Sequence, residues 1–313
     1  MSSTAVQVSR KIVKSILSRE TPEGAGAIVR RSIGTPQLRN FTPFLMLDHF
    51  NVGEGGFPDH PHRGMSTITY MLEGSFKHED FMGHAGTINA GDLQFMTAGK
   101  GILHAEMPVR GPGLPNPKGL QLWVDLPQAK RMTEASYQEL KSSEIPSAHP
   151  TSNTTIKVIS GTALGNESEG SVTSPIKPPG GCWIFDVTFK AKGEQVFQAI
   201  PAGWNAFAYT LEGQTLIGGD SSLTKPTDPF YTVVLSSAEG ERGVRLESVS
   251  EGSRLLVLIA GEPLDQEIIQ YGPFVMDTEQ GIRQAFQDFQ MGVNGFEKAR
   301  GWQSEIGKPS RGA

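Results

Sequence analysis

One cysteine, Cys182, stands in 313 residues, which excludes a disulfide within the chain and the stapled scaffolds of small secreted domains. Its neighbours Trp183, Ile184 and Phe185 are apolar, so the thiol is expected to be buried and inert. No apolar run approaches the roughly 18 residues of a membrane span. Residues 1–20 never build the apolar core of a signal peptide, so the expected location is the cytosol, the nucleus or both. The sequons at 153–155 and 166–168 carry no meaning without secretion. Charge is sparse, at 19% of residues with a net of −5, and no basic run offsets it; direct nucleic-acid binding is excluded on that ground.

Glycine (37) and proline (21) are plentiful, which favours short strands joined by turns and an all-β fold. The length is about twice that of a usual domain, so two cores are expected. Runs of β-prone residues at 66–72, 87–88, 93–96 and 121–126 have the spacing of a barrel or sandwich. The polar stretch 127–150 reads as a connector with some helical turns, which places a domain boundary near 145: 1–145 and 146–313. Strand signals resume at 155–159, 183–189, 206–211, 231–235, 245–249 and 254–260, interrupted by a Gly/Ser/Pro-rich loop at 165–181. Ile282, Phe286 and Phe289 recur at helical spacing and predict a short C-terminal helix that packs on a barrel.

A weak internal repeat joins the halves: Tyr70-Met71-Leu72-Glu73-Gly74 recurs as Tyr209-Thr210-Leu211-Glu212-Gly213. The same offset sets Ala199 opposite His60 and Pro201 opposite His62. If the halves are homologous barrels, only the first keeps ligands.

All seven histidines fall at or before residue 149. His60-Pro61-His62 spaces two imidazoles at i and i+2, which on an extended strand points both to one face. His104-Ala105-Glu106 repeats the geometry with an imidazole and a carboxylate. On adjacent inward faces the two pairs can surround one cation with three nitrogens and one oxygen, leaving two open positions on a six-coordinate metal. Surface loop histidines, or core histidines satisfied by hydrogen bonds, are the alternative, but two separate period-2 pairs make coincidence a poor explanation. His78 and His84 lie in a polar, turn-like segment and are expected to face solvent. His49 is expected near the pocket without being a ligand. Gly99-Lys100-Gly101 lacks the spacing of a phosphate loop and reads as a turn that delivers His104, with Lys100 lending charge to a pocket mouth.

With these residues in view the chain resembles the cupins and, among them, the pirin family. His60 and His62 are followed by Gly74 in register, with Ser66 and Thr67 where the general cupin glutamate falls. Gly91 and Gly99 match the second cupin element, Thr97 replaces its proline, and His104 comes two residues late. Those departures are pirin-like, and Glu106 fits the pirin position of a fourth ligand. Residues 43–49, 57–64, 70–74, 91–107, 119–126, 259–263 and 272–276 look like pirin sequence.

The resemblance implies two tandem cupin β-barrels (a bicupin), Fe(II) in the first barrel and an ion-free second. It also implies a non-haem dioxygenase of the quercetin 2,3-dioxygenase type, taking a flavonol-like substrate and O2, with Glu106 as the catalytic base. Manganese, copper, nickel or zinc would also suit the ligands. The alternative is an iron- or redox-responsive nuclear co-regulator of transcription acting through a transcription-factor or signalling protein partner. The enzymatic reading requires an accessible pocket over the metal; the regulatory one requires an exposed patch sensitive to the iron state.

Overall fold

Runs rich in β-branched and aromatic residues, bounded by glycines at positive φ, become strands throughout the chain. The computed structural model describes residues 8–219, 225–252 and 254–308; the first seven residues of the polar N-terminal stretch lie outside them. The fold is mostly β, with one α-helix, Glu279–Met291, among the described residues.

The chain forms two compact units and passes from one to the other between Glu144 and Ile145. The unit that carries the histidine pairs is built from Arg19–Glu144 and the segment from Leu264 onward. Its seven-stranded sheet runs, in spatial order, through Ser136–Leu140, Leu93–Thr97, Met65–Glu73, Lys118–Asp125, Phe44–Asn51, Ala27–Arg31 and Arg19–Glu23. Its four-stranded sheet runs through Phe57–His62, Ile102–Pro108, Ser75–Asp80 and Ala85–Asn89. The other unit, Ile145–Pro263 with the chain up to Ser18, has a seven-stranded and a three-stranded sheet around an apolar core that includes Phe185, Phe189, Ala208 and Leu258.

A simple division at residue 145 does not describe the terminal segments. Ile12–Leu17 pairs antiparallel with Tyr231–Leu235 and so closes a sheet edge in the unit it does not precede directly. The C-terminal segment joins the histidine-bearing unit because Phe274, Ile282, Ala285 and Phe296 bury their apolar faces with Met96, Ile102 and Leu103. Each large apolar side chain so buried contributes about 1.5–3 kcal/mol. The helix begins where Thr278 accepts a hydrogen bond from the Gly281 N–H, and it ends at Gly292, whose φ of 64° suits a left-handed cap.

The connector is less helical than its composition suggested. Gln128–Lys130 makes one 3₁₀ turn, but Ser136–Leu140 extends the large sheet by pairing with Leu93–Thr97. Tertiary pairing overrides local propensity there. Within the 165–181 loop, Ser171–Thr173 pairs with Thr162–Leu164. The repeated pentapeptides both end central strands, Met65–Glu73 and Asn205–Glu212, and Gly74 and Gly213 share a φ of 68° that an L side chain resists.

Candidate metal centre

Two antiparallel neighbours in the four-stranded sheet bring the histidine pairs together. His104 is directly opposite His60 across the ladder, and Ile102 opposite His62. Between His104 and Glu106 the register shifts by one residue, because Phe57 rather than Pro58 faces Glu106. The extra residue falls at Pro58-Asp59, on the outermost strand of the sheet, where a proline costs no ladder hydrogen bond. The bulge turns the Pro58 carbonyl toward His60, whose Nδ1 lies 2.8 Å from it. A carbonyl only accepts, so Nδ1 carries the proton and the lone pair is on His60 Nε2. That nitrogen stands 3.0 Å from His104 Nε2.

The three rings form a nearly equilateral triangle, with centroid separations of 4.4 Å (His60–His104), 4.9 Å (His60–His62) and 5.1 Å (His62–His104). One ligand nitrogen from each lies within 4.8 Å of the others. Burial, which disfavours the imidazolium, lowers all three pKa values, and the neighbouring imidazoles lower those of His62 and His104 further. The cluster is therefore neutral at pH 7, the state in which imidazole ligates a metal. His62 Nδ1 and His104 Nδ1 are buried without hydrogen-bond partners among the described residues, an arrangement that costs stability unless something besides protein engages these rings. Three converging neutral imidazoles with spare nitrogens fit a divalent transition-metal ion.

Glu106 is brought to the same interior but is engaged elsewhere. Gln121 Nε2 donates to its Oε2 at 3.2 Å, and Thr69 Oγ1 lies 3.2 Å from its Oε1 and 3.1 Å from Gln121 Oε1. Burial pushes the Glu106 pKa up to about 7, although the Thr69 and Gln121 hydrogen bonds pull it back toward the carboxylate. A nearby cation would lower it again.

A cavity of about 930 Å³ reaches His60, His62, Glu106, Gln121 and Trp123, a size suited to a drug-sized ligand. The Trp123 ring meets His62 edge to face at 5.2 Å. Strand alternation brings Met46, Asp48 and Phe50, Gln121 and Trp123, and Val29 and Arg31 to this space, and Leu45, next to Met46, lines it as well. Phe57 and Ile269 add apolar wall.

The other sequence candidates fall elsewhere. His49 does not line the cavity; its strand neighbours Asp48 and Phe50 do, and burial lowers its pKa to about 4. His84 is half exposed, with Nδ1 2.8 Å from Asp80 Oδ2. His78, expected to face solvent, is instead buried directly opposite Glu106 across the ladder, because its strand supplies alternate residues to the interior. Lys100 pairs with Glu134 at 2.6 Å and does not line the cavity, so it lends no charge to the mouth. Gly99, at φ 52°, turns the chain before His104, as expected. Thr69, Gln121 and Trp123 escaped the sequence reading; the one available signal was Gln121 interrupting the apolar run of 120–124.

Comparison with known proteins adds to this geometry. Residues 26–124 match the family model Pirin, and residues 184–295 match Pirin C-terminal cupin domain. Pirin of Mus musculus is 49% identical over 303 residues, spanning 96% of this chain and 99% of the mouse protein. A Pirin-like protein of Solanum lycopersicum is 46% identical over 297 residues, spanning 95% of this chain and 97% of its own. Among solved structures, a quercetin 2,3-dioxygenase from Acinetobacter baumannii superposes with a TM-score of 0.79 at 27% identity, over 90% of this chain and 97% of that one. The nickel(II) complex of the bacterial pirin YhhW from Escherichia coli shares the fold, with a TM-score of 0.57 at 19% identity, over 80% of this chain and 100% of its own.

Proposed function

This chain belongs to the pirin family, and from that premise we propose that it is an Fe(II)-dependent dioxygenase that opens a flavonol such as quercetin. The observation that carries the reading is the cavity that leads onto the three-histidine cluster beside Glu106. An accessible pocket is the feature that separates the enzymatic reading from the co-regulator one. The likeness to a quercetin 2,3-dioxygenase supports the choice of substrate class.

His60, His62 and His104 would hold the ion, with Glu106 as the fourth ligand, and iron supplies Lewis acidity and electron transfer to O2 when bound. The residues of the chain do the rest. The His60 Nδ1 bond to the Pro58 carbonyl fixes the ring that presents Nε2. Trp123, Phe57 and Met46 give a planar aromatic ligand an apolar slot and exclude water from it. Glu106 takes the proton of the flavonol 3-hydroxyl onto a carboxylate oxygen, while Gln121 and Thr69 keep that carboxyl in place.

Oxygen uptake by the Fe(II)-loaded protein with quercetin tests the reading, run beside a folded Glu106→Ala variant. Substrate-dependent uptake that the variant loses is the expected result. A protein that binds one iron per chain and consumes no oxygen with flavonols would overturn it.

A further inference from the structure

Strand register sets a row of polar residues across the large sheet. Gln94 pairs with Thr69, Thr69 with Gln121, Gln121 with Asp48, and Asp48 with Arg31. Directly paired residues share a face, so the row points one way. Thr69 and Gln121 reach Glu106 at the metal centre. Arg31 stands two strands beyond Gln121, roughly 10 Å away by strand spacing.

Arg31 is held rigidly there. Its Nε donates to Asp48 Oδ1 at 2.8 Å, and its Nη2 donates to Asp48 Oδ2 and to Glu23 Oε2, each at 2.6 Å. The fork fixes the plane of the guanidinium, whose remaining amine, Nη1, makes no hydrogen bond among the described residues. Arg31, Asp48 and Glu23 all line the cavity that reaches the histidines. Arg39 lines it too, exposed and free of hydrogen bonds and ion pairs among the described residues. The two guanidinium charges balance the carboxylates of Asp48 and Glu23. The group thus offers oriented N–H donors without net charge, which suits a phenolic hydroxyl better than a carboxylate or phosphate.

We propose that Arg31, aided by Arg39, forms a second recognition point in this cavity, one that binds a phenolic oxygen on the part of the ligand remote from the metal. The inference rests on the flavonol reading and narrows it. The favoured ligands are elongated polyphenols that carry a metal-binding edge and a hydroxyl roughly 10 Å from it. Flavonols with unsubstituted outer rings satisfy only the first requirement. Arg31 is a specificity residue here and takes no part in the oxygen chemistry.

Calorimetric titration of the Fe(II)-loaded protein without oxygen, with quercetin and with 3-hydroxyflavone, separates the two points. Both ligands carry the 3-hydroxy-4-keto edge, but only quercetin has hydroxyls on its outer rings. Quercetin is expected to bind more tightly, and Arg31→Lys should reduce that preference about tenfold, the effect of one charge-assisted hydrogen bond. Arg39→Gln should reduce it about threefold, on the same scale. Binding of 3-hydroxyflavone should be unchanged in both. A preference that survives both substitutions, or equal weakening of both ligands, would overturn the subsite and leave the flavonol reading standing. If neither ligand binds the iron-loaded parent protein, the flavonol reading fails and the subsite with it. Should Arg31→Lys fail to fold, Arg39→Gln decides: an unchanged preference overturns the proposal.

Discussion

The guanidinium of Arg63 and the carboxylate of Asp288 meet at 2.7 Å, although 225 positions separate them in the chain, and both are buried. Arg63 directly follows His62, and its other nitrogens donate to the carbonyls of Lys100 and Asn294. Asp288 in turn accepts from Gln284 and Asn294. Burial alone would raise its pKa, but the hydrogen bonds from Arg63, Gln284 and Asn294 outweigh it and hold the carboxyl below the ordinary value. The C-terminal helix thereby fixes the strand that presents two of the three histidines.

Removing one partner of a buried ion pair leaves the other uncompensated, so Asp288→Ala should cost about 3–5 kcal/mol of stability. Urea unfolding of the metal-free protein measures it. A loss under about 1 kcal/mol would show that Arg63 finds solvent or another acceptor.

At the candidate metal centre, His104→Ala should abolish retention of a divalent ion through dialysis, read by elemental analysis. Gln121→Leu removes the amide that holds Glu106 Oε2 and should weaken metal affinity about 10–100-fold if Glu106 is a ligand. Unaltered affinity in Gln121→Leu would count against that role for Glu106.

The pH dependence of folding has a clear sign at Asp92. Burial raises its pKa, but hydrogen bonds from the Asn89 and Ser142 N–H groups and from Lys141 together outweigh burial and lower it below the ordinary carboxyl value. A depressed carboxyl stabilises the folded state above its unfolded pKa, and that contribution fades as pH falls through the folded value. The melting temperature of the wild type should therefore exceed that of Asp92→Asn at pH 5–7, with the gap closing below about pH 4. A gap that widens in acid would contradict this.

Gly64 sits at φ 80°, and a Cβ there would lie 1.9 Å from the Val275 carbonyl oxygen. The substitution Gly64→Ala combines backbone strain with a clash against main chain and should cost about 2 kcal/mol or more, read as a lowered thermal midpoint. A midpoint equal to that of the wild type would mean that the segment around Val275 moves freely.

Much of the architecture was legible because it rests on short-range physics. Alternating β-prone runs announced most strands, and the 3.6-residue recurrence of Ile282, Phe286 and Phe289 announced the helix. The period of two in His60-Pro61-His62 and His104-Ala105-Glu106 was enough to put side chains on one face of each strand. Burial of Cys182 followed from its neighbours, and the structure agrees: the thiol is buried and its pKa is raised by desolvation.

Other features depended on which strand lies beside which, and no local pattern encodes that. His78 turned inward because Ser75–Asp80 pairs with Ile102–Pro108, and Lys100 found Glu134 instead of the cavity. The chain ends changed units because apolar faces and open sheet edges are satisfied by whatever surface fits them, however distant in sequence. Residue types and their local spacing, which make a metal centre possible, are written in the chain order. That His104 stands opposite His60, that Gln121 and Thr69 hold Glu106, and that Arg31 lines the same cavity emerges in the folded protein alone, because cross-strand register is set by the packing of the whole sheet.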